Sequence, residues 1–253
     1  LGVYGTTGLG LDGAGAKVIS EGRPDRMNRL VRYNAVMEQP ALWGSYQAGM
    51  SILSVSSSYS PSPEVRMRFT DVSMLGSALA VVEKFLDVTP SVNVIWVARD
   101  CSFGNAYTYV LNNASGVTPG VYLTNNVWLR CNLFVNNSSG ATGFPLAVEL
   151  RNNLFVQSIV QLTRATHASA IYNATDNLFD TVNLITSASG IGNSYNGYKS
   201  TPVMSGTSGN DIVLTTVDYQ NGPLGSFYYN TTPSATNTAY LLDKGSVSDS
   251  RTK

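Results

Sequence analysis

One short phrase recurs along this chain, and its spacing restricts the fold more than any other feature. The phrase is an apolar residue, two positions, an asparagine-like residue, one position, then an aromatic or aliphatic residue. It reads Val31-Arg-Tyr-Asn34-Ala-Val36, Ala98-Arg-Asp-Cys101-Ser-Phe103, Leu129-Arg-Cys-Asn132-Leu-Phe134, Leu150-Arg-Asn-Asn153-Leu-Phe155 and Ala174-Thr-Asp-Asn177-Leu-Phe179, and fades at Asn196-Gly-Tyr198. Positions 101, 132, 153, 177 and 196 are separated by 31, 21, 24 and 19 residues. Leucine-rich and hexapeptide solenoids keep tighter periods, whereas a parallel β-helix absorbs insertions in its turns while its strands stay in register. The expected fold is all-β, a right-handed parallel β-helix spanning 1–253 as a single domain.

In such a solenoid each coil lies about 4.8 Å from the next, so equivalent side chains stack. Asn132, Asn153 and Asn177 are expected to form a hydrogen-bonded ladder at a bend, because asparagine tolerates left-handed dihedrals and its amide both donates and accepts. Phe103, Phe134, Phe155 and Phe179 are expected to form an interior ring stack. Cys101 takes the asparagine slot and Cys131 falls one position earlier in its own copy. Two free thiols are expected, because the sulfurs point differently.

Six glycines among residues 1–20 read as turns and a first coil or cap, so 1–30 is assigned as an N-terminal cap and 31–205 as coils. The spacing of Leu75, Ala78, Leu79, Val82, Phe85 and Leu86 predicts a short helical insertion near 73–86. Residues 206–246 are expected to supply C-terminal strands and a cap, with a loose tail over 247–253. The chain starts at Leu1 without a leader and is expected to be a piece of a longer protein.

Net charge is zero and only 13% of residues are charged, which argues against binding nucleic acid or an anionic membrane. No apolar run is long enough to span a bilayer. The two cysteines lack zinc-type spacing, and the only histidine, His167, has no nucleophile motif beside it. No cofactor is expected. Calcium is the one metal the acids could hold, at Asp176 with Asp180 or Asp211 with Asp218, although neither pair has the spacing of a known calcium loop.

The recurring [RT]-x-N-L-F phrase resembles right-handed β-helix domains of the pectate-lyase-like superfamily. The segment Leu241-Leu-Asp-Lys-Gly-Ser246 is similar to the close of many bacterial secreted β-helix proteins. Arg32-Tyr-Asn-Ala-Val, Arg68-Phe-Thr-Asp-Val-Ser and Asp218-Tyr-Gln-Asn-Gly-Pro-Leu-Gly resemble β-helix segments of very large bacterial surface proteins. The resemblance implies an extracellular or cell-surface location, but it carries no reaction, since function on this fold resides in local sites.

If Leu129, Asn132 and Phe134 point inward, strand alternation turns Trp128 and Arg130 outward, beside Arg99 below and Arg151 above. An arginine ladder of Arg99, Arg130 and Arg151 would then need neutralising, by Asp100, Glu149 and Asp176 or by an acidic glycan stacked on Trp128. Pectate-lyase-like enzymes act on such outer faces, and Glu149, Arg151, Asp176 and Asp180 are the nearest approximation to their machinery. The leading expectation is a structural or adhesive surface module that binds polysaccharide or other surface proteins. The alternatives are a polysaccharide lyase or glycoside hydrolase, and a self-associating filament subunit.

Overall fold

The computed structural model describes residues 1–4, 8–33, 51–74, 84–88, 92–112, 120–137, 147–164, 172–186, 191–205, 210–222 and 225–229. Among these residues there is no helix, and the strands wind into a parallel β-helix of three sheets. Sheet A contains β1 (Gly2–Tyr4), β4 (Asn28–Tyr33), β7 (Thr70–Ser73), β10 (Ser102–Gly104), β13 (Val127–Leu129), β16 (Leu154–Val156), β19 (Leu178–Asp180), β22 (Gly197–Lys199) and β23 (Ile212–Leu214). Sheet B contains β2 (Leu9–Gly10), β5 (Ser51–Val55), β8 (Lys84–Val88), β11 (Tyr107–Asn112), β14 (Asn132–Asn137), β17 (Ile159–Arg164) and β20 (Asn183–Thr186). Sheet C contains β3 (Lys17–Glu21), β6 (Glu64–Arg68), β9 (Ile95–Arg99), β12 (Gly120–Thr124), β15 (Ala147–Arg151), β18 (Tyr172–Thr175) and β21 (Ile191–Ser194).

Each coil runs from sheet C round a tight corner to sheet A, then round a second tight corner to sheet B. Gly2–Tyr4, Leu9–Gly10 and Lys17–Glu21 supply the first strand of each of the three sheets, and at the other end sheet A runs on from β22 to β23. The helical insertion expected near 73–86 is corrected where it can be seen. Phe85 and Leu86 lie in strand β8 with both side chains fully buried, and positions 75–83 lie outside the described residues.

The C-to-A corner explains the asparagines. A residue in the left-handed region turns the chain at Asp100 (φ 55), Asn125 (φ 57), Asn152 (φ 52), Asp176 (φ 60) and Tyr195 (φ 56). The next residue points inward, giving the column Cys101, Asn126, Asn153, Asn177 and Asn196, with Asp211 at its end. Each inner amide links neighbouring coils. Asn153 Nδ2 donates to Asn177 Oδ1 (3.0 Å) and to the carbonyl of Leu123 (2.8 Å). Its Oδ1 accepts from both Asn126 Nδ2 (3.0 Å) and Asn126 N–H (3.1 Å). Partners along the ladder lie 25, 27, 24, 19 and 15 residues apart, and the backbone stays in register because every change of coil length falls outside the corner.

Asn132 is therefore not a rung. It opens strand β14, half-exposed on the outer face of sheet B between Tyr107 and Ile159. Phe134 also faces outward there. The interior stack is instead Phe103, Trp128, Phe155, Phe179 and Tyr198, each fully buried, with successive ring centroids 3.9, 5.8, 5.3 and 5.5 Å apart. The physical reason is that Leu123-Thr-Asn-Asn126-Val-Trp128 also fits the phrase, and its indole fills the ring slot.

The second corner uses smaller rungs. Cys131 N–H donates to Ser158 Oγ (3.1 Å), whose hydroxyl donates to the carbonyls of Val156 and Trp128. Both cysteines are free and buried, one at each corner, and burial pushes each thiol up to about 12. The thiols donate instead to carbonyls, Cys101 to Arg99 (3.1 Å) and Cys131 to Phe103 (3.2 Å).

Left-handed geometry costs an L residue roughly 1–2 kcal/mol, less for Asn or Asp. Tyr195 bears that cost at an exposed corner where its side chain is 37% accessible. Tyr195→Gly is expected to stabilise the fold by about 1 kcal/mol and raise Tm by roughly 2–4 °C in a thermal melt. A lower Tm would contradict a strain-dominated corner.

Candidate functional site

The outer face of sheet A should be polar if it met water, yet it carries Val127, Leu129, Leu154, Val156 and Leu178 in two aligned columns. A C-terminal hairpin, β24 (Tyr219–Gly222) and β25 (Gly225–Tyr229), lies against this face. Its anchor is Asp180, next in the second column and only 3% exposed. Asp180 Oδ2 accepts from the Tyr219 hydroxyl (3.0 Å), and Oδ1 accepts from Lys199 Nζ (2.7 Å) and Thr181 Oγ1 (2.9 Å). Burial, then the Asp180 charge, pushes the Tyr219 phenol well above its ordinary value.

Hairpin and sheet enclose an open groove of about 270 Å³. Its floor is Val127, Leu154 and Leu178, and one wall is Val217, Asp218, Tyr219 and Phe227. The other wall is the C-to-A corner, where Asn125, Asn152 and Asp176 present their side chains at left-handed turns. Asn152 Nδ2 donates to Asn125 Oδ1 (2.6 Å), and Asn125 Nδ2 donates to Asp100 Oδ1 (3.1 Å), so an outer amide row runs parallel to the inner ladder. The Tyr219 and Phe227 rings meet edge to face at 5.2 Å. Phe227 sits at φ 75, an outlier for a bulky residue, so the hairpin holds this ring in the groove against a backbone cost. An apolar floor and two rings facing carboxylates and amides can pack the C–H face of a small polyol while bonding its hydroxyls.

The residues predicted from sequence are scattered. Arg99 and Arg151 do share one outer column of sheet C, with Thr124 between them. Arg130 is not in that column; it turns the second corner at φ 53 and donates from Nε to Gln157 Oε1 (3.4 Å). The three-arginine ladder is therefore corrected to Arg99 and Arg151 separated by Thr124, each beside an acid. Arg99 and Arg68 flank Asp100 at 3.2 and 3.4 Å, and Arg151 lies 3.9 Å from Asp176. Trp128 is no surface platform, being fully buried in the ring stack.

Of the four catalytic candidates, only Arg151 and Asp176 come together. Glu149 stands half-buried on sheet C in register with Tyr122 and Asn173, and Asp180 lies on sheet A beneath the hairpin. Asp176 precedes strand β19 and Asp180 ends it, with separate cationic partners, Arg151 and Lys199, while Asp211 closes the inner ladder and Asp218 lines the groove. Among the described residues no three metal-binding side chains converge. Also among them, no helix is long and apolar enough to cross a membrane. His167 lies outside the described residues.

Sequence reasoning missed Asn125, Asn152, Tyr219 and Phe227. The available signal was the run of apolar residues at outward positions of sheet A, which requires a cover. The chain matches no protein-family model, no curated protein and no solved structure.

Proposed function

We propose that this chain is a non-catalytic, saccharide-binding module of a secreted or cell-surface structure, a pectate-lyase-like β-helix of the kind found in large bacterial surface proteins. The observation that carries the reading is the groove between hairpin and sheet, with its apolar floor, its two rings and its row of amides and carboxylates. The ligand is a neutral sugar rather than an acidic one. The charged side chains among the groove's lining residues are carboxylates, Asp176 and Asp218, and Arg99 and Arg151, which would attract an acidic glycan, sit beside Asp100 and Asp176 at the C-to-A corner. Binding without turnover is favoured because Asp180 is buried in a bond network that anchors the hairpin and Asp176 is paired with Arg151, which occupies two of the three carboxylates named as catalytic candidates.

The test is a panel of immobilised neutral and acidic polysaccharides, scored for retention and for new reducing or unsaturated ends. Retention on a neutral polysaccharide with no new ends is expected, and Asp218→Ala with Phe227→Ala should weaken it about tenfold, equivalent to about 1.4 kcal/mol. Retention unaffected by that double substitution would refute the groove as the site. New ends that disappear in Asp176→Asn or Glu149→Gln would establish an enzyme instead.

A further inference from the structure

The outer face of sheet B carries a second aromatic cluster, on a different sheet from the groove. Tyr107 and Tyr109 project from β11 and Phe134 from β14, all partly exposed. Phe134 lies 5.2 Å from Tyr107 and 6.4 Å from Tyr109, and the two tyrosine rings are 6.4 Å apart and within 20° of parallel. The cluster's border is polar and electrically balanced. Asn132 and Gln161 flank it on the following coils, and on the preceding coil Lys84 and Asp87 neutralise each other at 2.7 Å.

We infer that this face is a second saccharide-contact site, which takes a neutral polysaccharide running along the solenoid axis. Three features select that occupant. Aromatic rings pack against the C–H faces of sugar rings, while the two phenol hydroxyls and the bordering amides match the hydroxyl rim. Among the described residues of this face the self-cancelling ion pair leaves no net charge to attract an anionic or cationic polymer, so a neutral chain is the electrostatic complement. Finally, the surface is periodic: Asp87, Tyr109, Phe134, Gln161 and Ile185 occupy one register column with successive coils about 4.8 Å apart, so a polymer laid along the axis meets a new side chain at nearly every sugar. The face deepens the saccharide-binding reading but stands on residues the groove does not use.

The probes are cellohexaose, xylohexaose, mannohexaose and chitohexaose, titrated into the full 253-residue chain. The aromatic resonances of tyrosine and phenylalanine are followed by NMR alongside calorimetry. At least one probe is expected to shift tyrosine and phenylalanine signals that Tyr109→Ser and Phe134→Ser remove, and each substitution should weaken binding about tenfold while circular dichroism stays unchanged. Those shifts should persist in the Asp218→Ala/Phe227→Ala groove variant. If no probe moves these signals, or if the ring substitutions leave affinity unchanged, the second site is overturned. A loss confined to the groove variant overturns it too, and leaves the groove reading standing.

Discussion

Asn153→Ala is expected to destabilise the fold by about 4 kcal/mol, several times the effect of an ordinary surface substitution. The side chain is 2% exposed and takes part in four hydrogen bonds spanning three coils. Truncation leaves Asn126 N–H without its side-chain acceptor, an orphaned group that costs about 1–3 kcal/mol in a dry interior, and takes the amide donor from the carbonyl of Leu123, which keeps its place in the sheet C ladder. Asn126 Nδ2 falls back on the Ala98 carbonyl and Asn177 Oδ1 on Asn153 N–H, which limits the damage. Chemical denaturation followed by circular dichroism measures the loss. Asn132→Ala is the control, expected to cost less than about 0.5 kcal/mol from its half-exposed place on sheet B. Comparable losses from the two substitutions would refute the register of the ladder.

The contrast between these asparagines marks how far the repeat could be read. Cys101, Asn153, Asn177 and Asn196 stand where the phrase puts them, because the inward rung, the left-handed residue before it and the ring two positions later all lie within one corner. The phrase failed between 120 and 135, where two overlapping stretches satisfy it. What separates them is the second corner. Cys131 is a rung of that corner, so Asn132 belongs to the next sheet and the side-chain alternation restarts. Choosing Asn126 gives partner spacings of 25, 27 and 24 along 101–177, more even than the 31, 21 and 24 obtained with Asn132, and that evenness was in the sequence.

The same slip carried into the candidate site. Moving the frame by six residues turned Trp128 into a surface platform and Arg130 into a member of the sheet C column. The groove was hidden for a different reason. Repeats report contacts between neighbouring coils, whereas the docking of Val217, Asp218, Tyr219 and Phe227 across sheet A is a long-range contact that no period encodes. The Asp218-Tyr-Gln-Asn-Gly stretch signals a hairpin by its turn residues, but the pairing of Tyr219 with Asp180 emerges only when the coils are stacked.

Trp128→Ala provides the second large effect, an expected loss of about 4 kcal/mol, and it separates a core indole from a surface one. The ring is fully buried, stacked on Phe103 at 3.9 Å and 7°, and it also meets Phe155 at 5.8 Å and Trp96 edge-on at 6.0 Å. Alanine would open a cavity across three coils that the stiff sheets cannot close. Trp128→Phe should behave differently. Phenylalanine occupies this slot in three other coils, and among the described residues the indole Nε1–H has no acceptor, so removing it relieves a desolvation cost. The expected loss is under about 1.5 kcal/mol, from the smaller ring area alone. Thermal melts and denaturation curves of the two variants decide the matter. A Trp128→Ala protein that keeps wild-type stability but loses saccharide retention would put the indole on the surface and overturn the ring stack; normal saccharide retention by a folded but weakened Trp128→Phe protein would confirm that the indole acts in the core alone.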